Sequence, residues 1–338
     1  MRVKLCFSDG VEREVDVDPE ETILAAAERQ GVAIHNQCRS GSCSTCIGTV
    51  IAGDVEHDTS VSTALLPMEF NAGCRLSCIS RPKAPSTISF DYPSVEESES
   101  PTRFLMLVDA IEPIAADVVR VKARTPKKLD FAFSPGQYLK FKVPGTEEWR
   151  CFSMSTPSAD LNRMEFLIRL LPRGVMTDYL RDRAQPSDFI EVEGPLGEFS
   201  LEPSDKKHIL IGGGTGVAPL LSMLRHMTAS GRKRPQVLLS AGFNSPEQFF
   251  FGDIESVARW FPEIETRISL LAGNTHLCAA LTGNPVEAIR KEDVDDGDVV
   301  AYLCGPPPMV LAARKHLVAL GLPLTSIFFE NFTAAESC

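Results

Sequence analysis

Nowhere do these 338 residues hold the run of about 18 apolar residues that a membrane-spanning helix requires. The opening stretch MRVKLCFSDG has neither a long apolar core nor a small-residue cleavage site. It reads as a first strand rather than a secretory signal, and the expected compartment is the cytoplasm. Thiols stay reduced there, so the ten cysteines point to metal binding rather than disulfides. Positive charge is also short. Lys and Arg number 34 against 45 Asp and Glu, a net charge of −11, which argues against a nucleic-acid partner. The first hundred residues carry 16 acidic against 8 basic side chains. That face is either simply well solvated or a docking surface for a more basic protein. Internal repeats are lacking too, and the one low-complexity tract is a short acidic one at 94–101. What remains, 43% hydrophobic and 23% charged, is ordinary globular composition at a length for two or three domains.

The chain changes grammar twice. VKLCFSDGVEREVDV alternates apolar residues around Asp9-Gly10 and predicts a hairpin. DPEETILAAAERQG predicts a helix that stops at Gly31. GTVIAGDVE and PSTISFDYP read as further strands. SVEESESP, at 94–101, is polar and aperiodic and is the natural linker. Short strand-like runs broken by Pro and Gly follow to about 204, interrupted by a helix near MTDYLRDRA; they predict an antiparallel barrel or sandwich. From about 206, KKHILIGGGTGVAPLLSMLRHM begins an alternation of strands and helices that implies a parallel sheet with helices on its faces. The expected division is 1–93, a linker at 94–101, 102–204 and 205–338.

Cys38, Cys43 and Cys46 form C-x4-C-x2-C. With one distant cysteine this is the plant-type [2Fe–2S] spacing. The small residues between them, Ser40, Gly41, Ser42, Ser44 and Thr45, let backbone N–H groups turn toward the sulfurs and tune the reduction potential. Structural zinc usually takes two short cysteine pairs, and only one is present. The fourth ligand is Cys74 or Cys78. The apolar setting of Cys78, near Leu76 and Ile79, favours Cys78.

Five later strings point to cofactor chemistry. In RCFSMSTP, at 150–157, a strand end offers Arg150 for a phosphate, Phe152 for stacking and Ser153 for a hydrogen bond to a flavin ring; by itself the string is common. PRGVMTDYL sets Gly174 and Thr177 at a helix start, where the N–H groups of the Gly174–Thr177 turn, Val175 and Met176 included, can bind a pyrophosphate. Gly194 and Gly197 of EGPLGEF add tight turns. HILIGGGTGVAP runs a buried strand into a glycine turn, with Pro219 where the dinucleotide fingerprint has a third glycine; a purely structural turn is the plain alternative. AYLCGPPPM ends another strand at Cys304 and Gly305, where open α/β sheets bind ligands. A buried thiol there is more often inert than functional.

In this order the strings resemble one family over the whole chain: the reductase components of multicomponent bacterial oxygenases, similar to benzoate dioxygenase reductase and methane monooxygenase reductase. The resemblance implies an N-terminal β-grasp [2Fe-2S] ferredoxin domain, an antiparallel β-barrel flavin domain and a C-terminal parallel-sheet α/β nicotinamide domain, a multidomain α+β and α/β chain. It implies that Arg150, Cys151, Phe152, Ser153 and the turn Gly174, Val175, Met176, Thr177 hold FAD, with Ser153 near N5. Gly213, Gly214, Thr215, Gly216, Ala218 and Pro219, with Cys304, Gly305 and Pro306, would hold NAD. Glu330 and Phe332 of FFENF would lie near the flavin ring. The catalytic set is then Ser153, Cys304 and Glu330, and the metal ligands are Cys38, Cys43, Cys46 and Cys78. Two departures stand out: Phe152 replaces a usual tyrosine, and Phe243 replaces an arginine after the second strand of the nicotinamide domain.

The implied activity solves an electron-counting problem. Nicotinamide gives two electrons as hydride, a [2Fe-2S] cluster takes one, and a flavin converts between them. The expected protein is an NADH-dependent reductase feeding a terminal oxygenase, a Rieske-type aromatic-ring hydroxylating dioxygenase first. The alternatives are a di-iron monooxygenase or a sugar-deoxygenating dehydratase as acceptor. A redox sensor or scaffold that kept the folds is the non-enzymatic rival. NADH is expected over NADPH because Gln236 to Phe251 holds no Lys or Arg and does hold Glu247. No membrane and no nucleic acid enter the reading.

Overall fold

A computed structural model describes the chain except for residues 37, 59–63, 95–101, 128–132, 158–161, 231–233, 262, 277, 296–297 and 333–338. Nearly all of the expected linker therefore lies outside the described residues. The chain separates into two compact units, Met1–Ser100 and Pro101–Cys338.

In the first unit, β1 (Arg2–Cys6) buries Val3 and Leu5 completely on one face, each contributing roughly 1.5–3 kcal/mol of burial. The Asp9-Gly10 turn forms as the sequence implies. Asp9 Oδ1 accepts from the Val11 N–H at 3.1 Å, and Gly10 takes φ +83°, where a Cβ would be strained. The chain returns antiparallel as β2 (Glu12–Asp16). Helix α1 (Ile23–Arg29) starts at Thr22, whose hydroxyl accepts from the Ala25 N–H, and buries Ile23, Leu24, Ala26 and Ala27. β3 (Ile47–Ala52), β4 (Val55–His57), the short helix α2 (Pro67–Asn71), β5 (Cys74–Leu76), β6 (Ser80–Pro82) and β7 (Ser86–Ser89) complete the unit. The main sheet runs β2-β1-β7-β3-β5, and β4 pairs with β6 apart from it. The last strand, β7, lies parallel to the first, β1. This mixed sheet grasping one helix is the β-grasp arrangement.

The second unit opens with β8 (Arg103–Ala115), β9 (Val118–Arg124), β10 (Tyr138–Lys142), β11 (Trp149–Ser153), β12 (Arg163–Arg169), helix α3 (Val175–Asp182) and β13 (Phe189–Leu196). Every pairing in the order β11-β10-β13-β8-β9-β12 is antiparallel. A bridge from Met154 to Phe166 joins the two edges, so the sheet closes as a barrel. Nine strands and helices follow: β14 (Lys207–Gly213), α4 (Val217–Ala229), β15 (Val237–Phe243), α5 (Phe251–Trp260), β16 (Ile264–Leu270), β17 (Ala280–Thr282), β18 (Val299–Gly305), α6 (Pro307–Ala319) and β19 (Ile327–Asn331). They build a parallel sheet ordered β17-β16-β15-β14-β18-β19. The order reverses between β14 and β18, the switch point at which such sheets open a ligand crevice. Val118 and Leu167 of the barrel share one buried cluster with Leu220, Leu221 and Leu224 of α4, so barrel and nucleotide lobe have a common core.

Candidate functional site

Two sites emerge, one in each unit. In the first, the cysteine loop turns tightly enough to put Arg39 and Ser44 at φ +55° and +60°, in the left-handed region that L side chains avoid. Gly41, at φ +80°, packs so closely that a Cβ would lie 2.6 Å from Ile79. This contortion aims backbone donors inward. The N–H groups of Ser40 and Ser42 point at Cys38 Sγ from 3.5 and 3.3 Å, and that of Cys38 at Cys43 Sγ from 3.5 Å. The Thr45 hydroxyl donates to Cys43 Sγ at 3.2 Å.

The sulfurs form two couples. Cys38 is hydrogen-bonded to Cys43, and that contact, against opposing burial, draws the Cys38 thiol well below its ordinary range. Cys46 bonds Cys78, which pushes Cys46 up and draws Cys78 down. Among the described residues no group of three or more His, Cys, Asp or Glu is placed to hold a metal ion. Four sulfurs paired two by two, with N–H donors around them, fit a two-iron cluster. Cys74 is elsewhere: it sits opposite Thr49 in the β3–β5 ladder, its sulfur 3.7 Å from the Thr49 hydroxyl.

In the second unit, β11 carries Arg150, Cys151, Phe152 and Ser153. The Arg150 guanidinium pairs with the Glu148 carboxylate and donates to the Trp149 carbonyl. Phe152 packs edge-on against Phe141, ring centres 5.3 Å apart. Gly174 caps α3 in extended backbone, and Val175, Met176 and Thr177 form its first turn, where helical N–H groups lack intrahelical partners. The Thr177 hydroxyl accepts from the Leu171 N–H at 3.0 Å and keeps its own O–H to donate.

The switch point holds the rest. Gly213 to Gly216 turn from β14 into α4, and Cys304 to Pro306 turn from β18 into α6. The two turns touch: a Cβ on Gly216 would lie 2.4 Å from the Cys304 carbonyl oxygen, and one on Gly213 would lie 2.7 Å from Met309 Sδ. Gly214, at φ +56°, faces open space. Backbone bared in this way on an open crevice suits a diphosphate. Ala218 and Pro219 are buried on the first turn of α4. Glu330 pairs with Cys304 across β18 and β19, and Phe332 donates its N–H to the Gly305 carbonyl. Burial, with the Glu330 charge adding, pushes the Cys304 thiol well above its ordinary range, so it stays protonated. Ser153 Oγ donates to Glu330 Oε2 at 3.2 Å. Ser153, Glu330 and Cys304 are thus drawn together from three strands, while Arg150 and the α3 turn belong to the barrel alone.

One residue of this site escaped the sequence reading. Tyr138 lies buried between Ser153 and Leu196 in the barrel ladders, and Gly197 leaves room for its ring. In the sequence it is only one alternating residue of QYLKF, with nothing to mark it.

Comparison with known proteins agrees with the geometry. Residues 6–83 match a 2Fe-2S iron-sulfur cluster binding domain, 106–201 an oxidoreductase FAD-binding domain and 210–315 an oxidoreductase NAD-binding domain. The propane 2-monooxygenase reductase component of Rhodococcus jostii is 35% identical, over 96% of this chain and 90% of its own. The anthranilate 1,2-dioxygenase electron transfer component of Acinetobacter baylyi is 30% identical, over 99% and 98%. The crystal structure of the Amycolatopsis cytochrome P450 reductase GcoB superposes with a TM-score of 0.70 at 30% identity, covering 99% of this chain and all of that one. No helix among the described residues is long and apolar enough to cross a membrane. The chain belongs to the family of iron–sulfur flavoprotein reductases that serve as the electron-transfer components of oxygenases.

Proposed function

We propose that the chain takes electrons from NADH and delivers them singly to a cytoplasmic oxygenase partner that docks at the cysteine loop, with Cys38, Cys43, Cys46 and Cys78 as cluster ligands. The domains proposed are 1–93, 102–204 and 205–338, with 94–101 as linker. Bound flavin supplies the conversion between two-electron hydride chemistry and one-electron chemistry. The chain's own groups then have definite tasks. Ser153 holds its hydroxyl toward the ring edge while Glu330 accepts the proton end of that hydroxyl. Cys304 stays a neutral thiol beside the nicotinamide. Gly213 to Gly216 and Gly305 let backbone approach the diphosphate. Arg150 and the α3 turn take the flavin phosphates. In the loop, inward N–H groups and the Thr45 hydroxyl stabilise thiolate charge.

The observation that carries this reading is the 3.2 Å contact of Ser153 with Glu330, which joins the flavin strand to the nicotinamide strand. The test is anaerobic addition of NADH to the FAD- and iron-loaded chain. Bleaching of the flavin followed by a reduced-cluster EPR signal is expected; a flavin that NADH does not bleach overturns the reading. NADH over NADPH is supported by three facts: Phe243 is packed between Phe249 and Phe250, Arg267 is committed to Asp293 and the Ala288 carbonyl, and Glu247 is exposed. A ring-hydroxylating dioxygenase is the first partner reading, in line with the anthranilate relative. The higher identity to a propane monooxygenase reductase supports a second, a monooxygenase. Product formation with each oxygenase class separates them.

A further inference from the structure

Helix α4 begins at Val217, directly after the glycine turn, and two of its side chains reach back to the chain leaving β11. Ser222 Oγ donates to the Thr156 carbonyl at 2.5 Å, and Arg225 Nη1 donates to the Ser155 carbonyl at 2.8 Å. Residues three apart share a helix face, so one face of α4 seizes two successive carbonyls. Those carbonyls follow Ser153 by two and three residues. The same segment is held from its other side. The Ser155 N–H and hydroxyl both donate to the Glu165 carbonyl, at 2.8 and 3.1 Å, and Met154 bridges to Phe166. The Arg225 guanidinium is fixed in turn, 3.6 Å from Glu165 and 3.5 Å from Asp253. Asp253 is only 4% exposed and also binds Arg120 at 2.5 Å.

We propose that Ser222 and Arg225 are positioning residues that set the nicotinamide turn against the flavin strand. The proposal rests on the reading of Ser153 as the flavin-ring residue and of Gly213 to Gly216 as the nucleotide turn. Neither side chain touches a cofactor in this scheme. They act because α4 is a short rigid lever: it starts directly after the turn, and between one and a little over two helical turns later it grips the strand. The common core of Leu220, Leu221 and Leu224 with Val118 and Leu167 already welds the two lobes. What two directed hydrogen bonds add to such a weld is register along the strand. Hydride transfer is steep in distance, and a misplacement near 1 Å can cost about 100-fold.

The experiment uses the FAD-loaded full chain and stopped-flow reduction by NADH. For Arg225→Gln and Ser222→Ala we expect retained flavin, an unchanged NADH half-saturation and a limiting flavin-reduction rate about 10- to 100-fold lower. The isotope effect from 4-deuterated NADH should rise as transfer becomes limiting, and Arg225→Lys should recover part of the rate. A limiting rate and isotope effect equal to those of the unaltered chain, with only the melting midpoint lowered, would reduce both residues to plain packing. Should Arg225→Gln fail to fold, Ser222→Ala, which removes one hydroxyl, decides alone. Failure of the underlying reading shows up differently, as an unaltered chain whose flavin NADH does not reduce.

Discussion

Ser153 and Glu330 are 177 residues apart in the chain and 3.2 Å apart in space, the hydroxyl donating to the carboxylate. The bond closes the barrel's flavin strand onto the last strand of the nucleotide sheet. Cys304 sits beside Glu330 in the neighbouring strand.

Removing either partner should slow flavin reduction without emptying the flavin site, because the proposed phosphate contacts, Arg150 and the first turn of α3, lie elsewhere on the barrel. Ser153→Ala and Glu330→Ala are each expected to lower the NADH-driven flavin-reduction rate by about 10²–10³, the range seen when one preorganised hydrogen-bonding group is lost from a reacting centre. Stopped-flow absorbance checks this. A rate near the original in a flavin-loaded variant would remove both residues from the reacting centre.

For the cluster, Cys78→Ser should abolish or alter the visible and EPR spectra, and Cys74→Ser should leave them intact. Cys78 bonds Cys46, whereas Cys74 faces Thr49 on the β3–β5 ladder. Dye reduction by NADH should survive in both variants, since flavin and nicotinamide motifs lie outside the first unit. A spectrum lost only with Cys74 would reverse the assignment.

Thr45→Val should lower the cluster's reduction potential. The Thr45 hydroxyl donates to Cys43 Sγ at 3.2 Å, and a donor to thiolate favours the more negatively charged, reduced state. A hydrogen bond of about 1 kcal/mol, at 59 mV per tenfold for one electron, corresponds to roughly 40 mV. Spectroelectrochemistry that finds no fall would show the hydroxyl pointing away once the cluster is in place.

How much of this could be read from the sequence depended on whether the signal was local. The cysteine spacing, the Asp9-Gly10 turn and the glycine turn after β14 each express a backbone demand within a few residues, and the structure has those turns. The preference for Cys78 over Cys74 rested on an apolar setting, since spacing allowed both; in the structure the two differ in strand register, Cys74 being paired with Thr49 while Cys78 lies past the end of β5. Tyr138, Ser222 and Arg225 gave no sign. Their places follow from closure of the barrel and from helix packing, which no short window encodes. Nor did the acidic excess of the first hundred residues reveal its pairing. Glu12, Glu14, Asp16, Asp18 and Glu21 all lie within 4 Å of Arg2, Lys4 or Arg29.

Asp293 gives a pH dependence. Burial opposes its ionisation, but Arg267 binds it through both terminal nitrogens, at 2.6 and 2.9 Å, and the Arg290 N–H adds a third donor. The net effect holds the carboxyl below its ordinary value of about 3.9. A folded-state value below the unfolded one means stabilisation that is complete above the unfolded value and lost as pH falls through the folded one. This pair's contribution should thus be constant from neutrality to about pH 5 and vanish in stronger acid. Asp293→Asn should cost roughly 3 kcal/mol by removing the buried carboxylate from the guanidinium, which then keeps only the exposed Glu265 and the Ala288 carbonyl. At about 2–4 °C per kcal/mol, that is a clear drop in the second unit's melting midpoint. Calorimetry at pH 7 showing no drop would mean that Glu265, already 2.7 Å from Arg267 Nε, suffices as its partner.

The same pair bears on nucleotide choice. NADPH differs from NADH by a phosphate on the ribose, and a dianion needs a cation, best an arginine fork. From Gln236 to Phe251 the chain carries no Lys or Arg; Phe243 is buried among aromatics, and Arg267 of β16 is bound to Asp293, Glu265 and the Ala288 carbonyl. Glu247 stands exposed in the loop after β15, its carboxyl held below the ordinary range mainly by the Ser245 hydroxyl, so it is charged at neutral pH. A carboxylate there repels a 2′-phosphate and can accept a hydrogen bond from a free 2′-hydroxyl. Steady-state kinetics should therefore give a higher kcat/KM for NADH. Glu247→Gln should raise kcat/KM for NADPH while lowering that for NADH, and Glu247→Arg should raise it further. The effect should weaken with added salt, as screening of an exposed charge requires. A chain that prefers NADPH, or a Glu247→Arg variant with unchanged nucleotide preference, would put the ribose somewhere other than the end of β15.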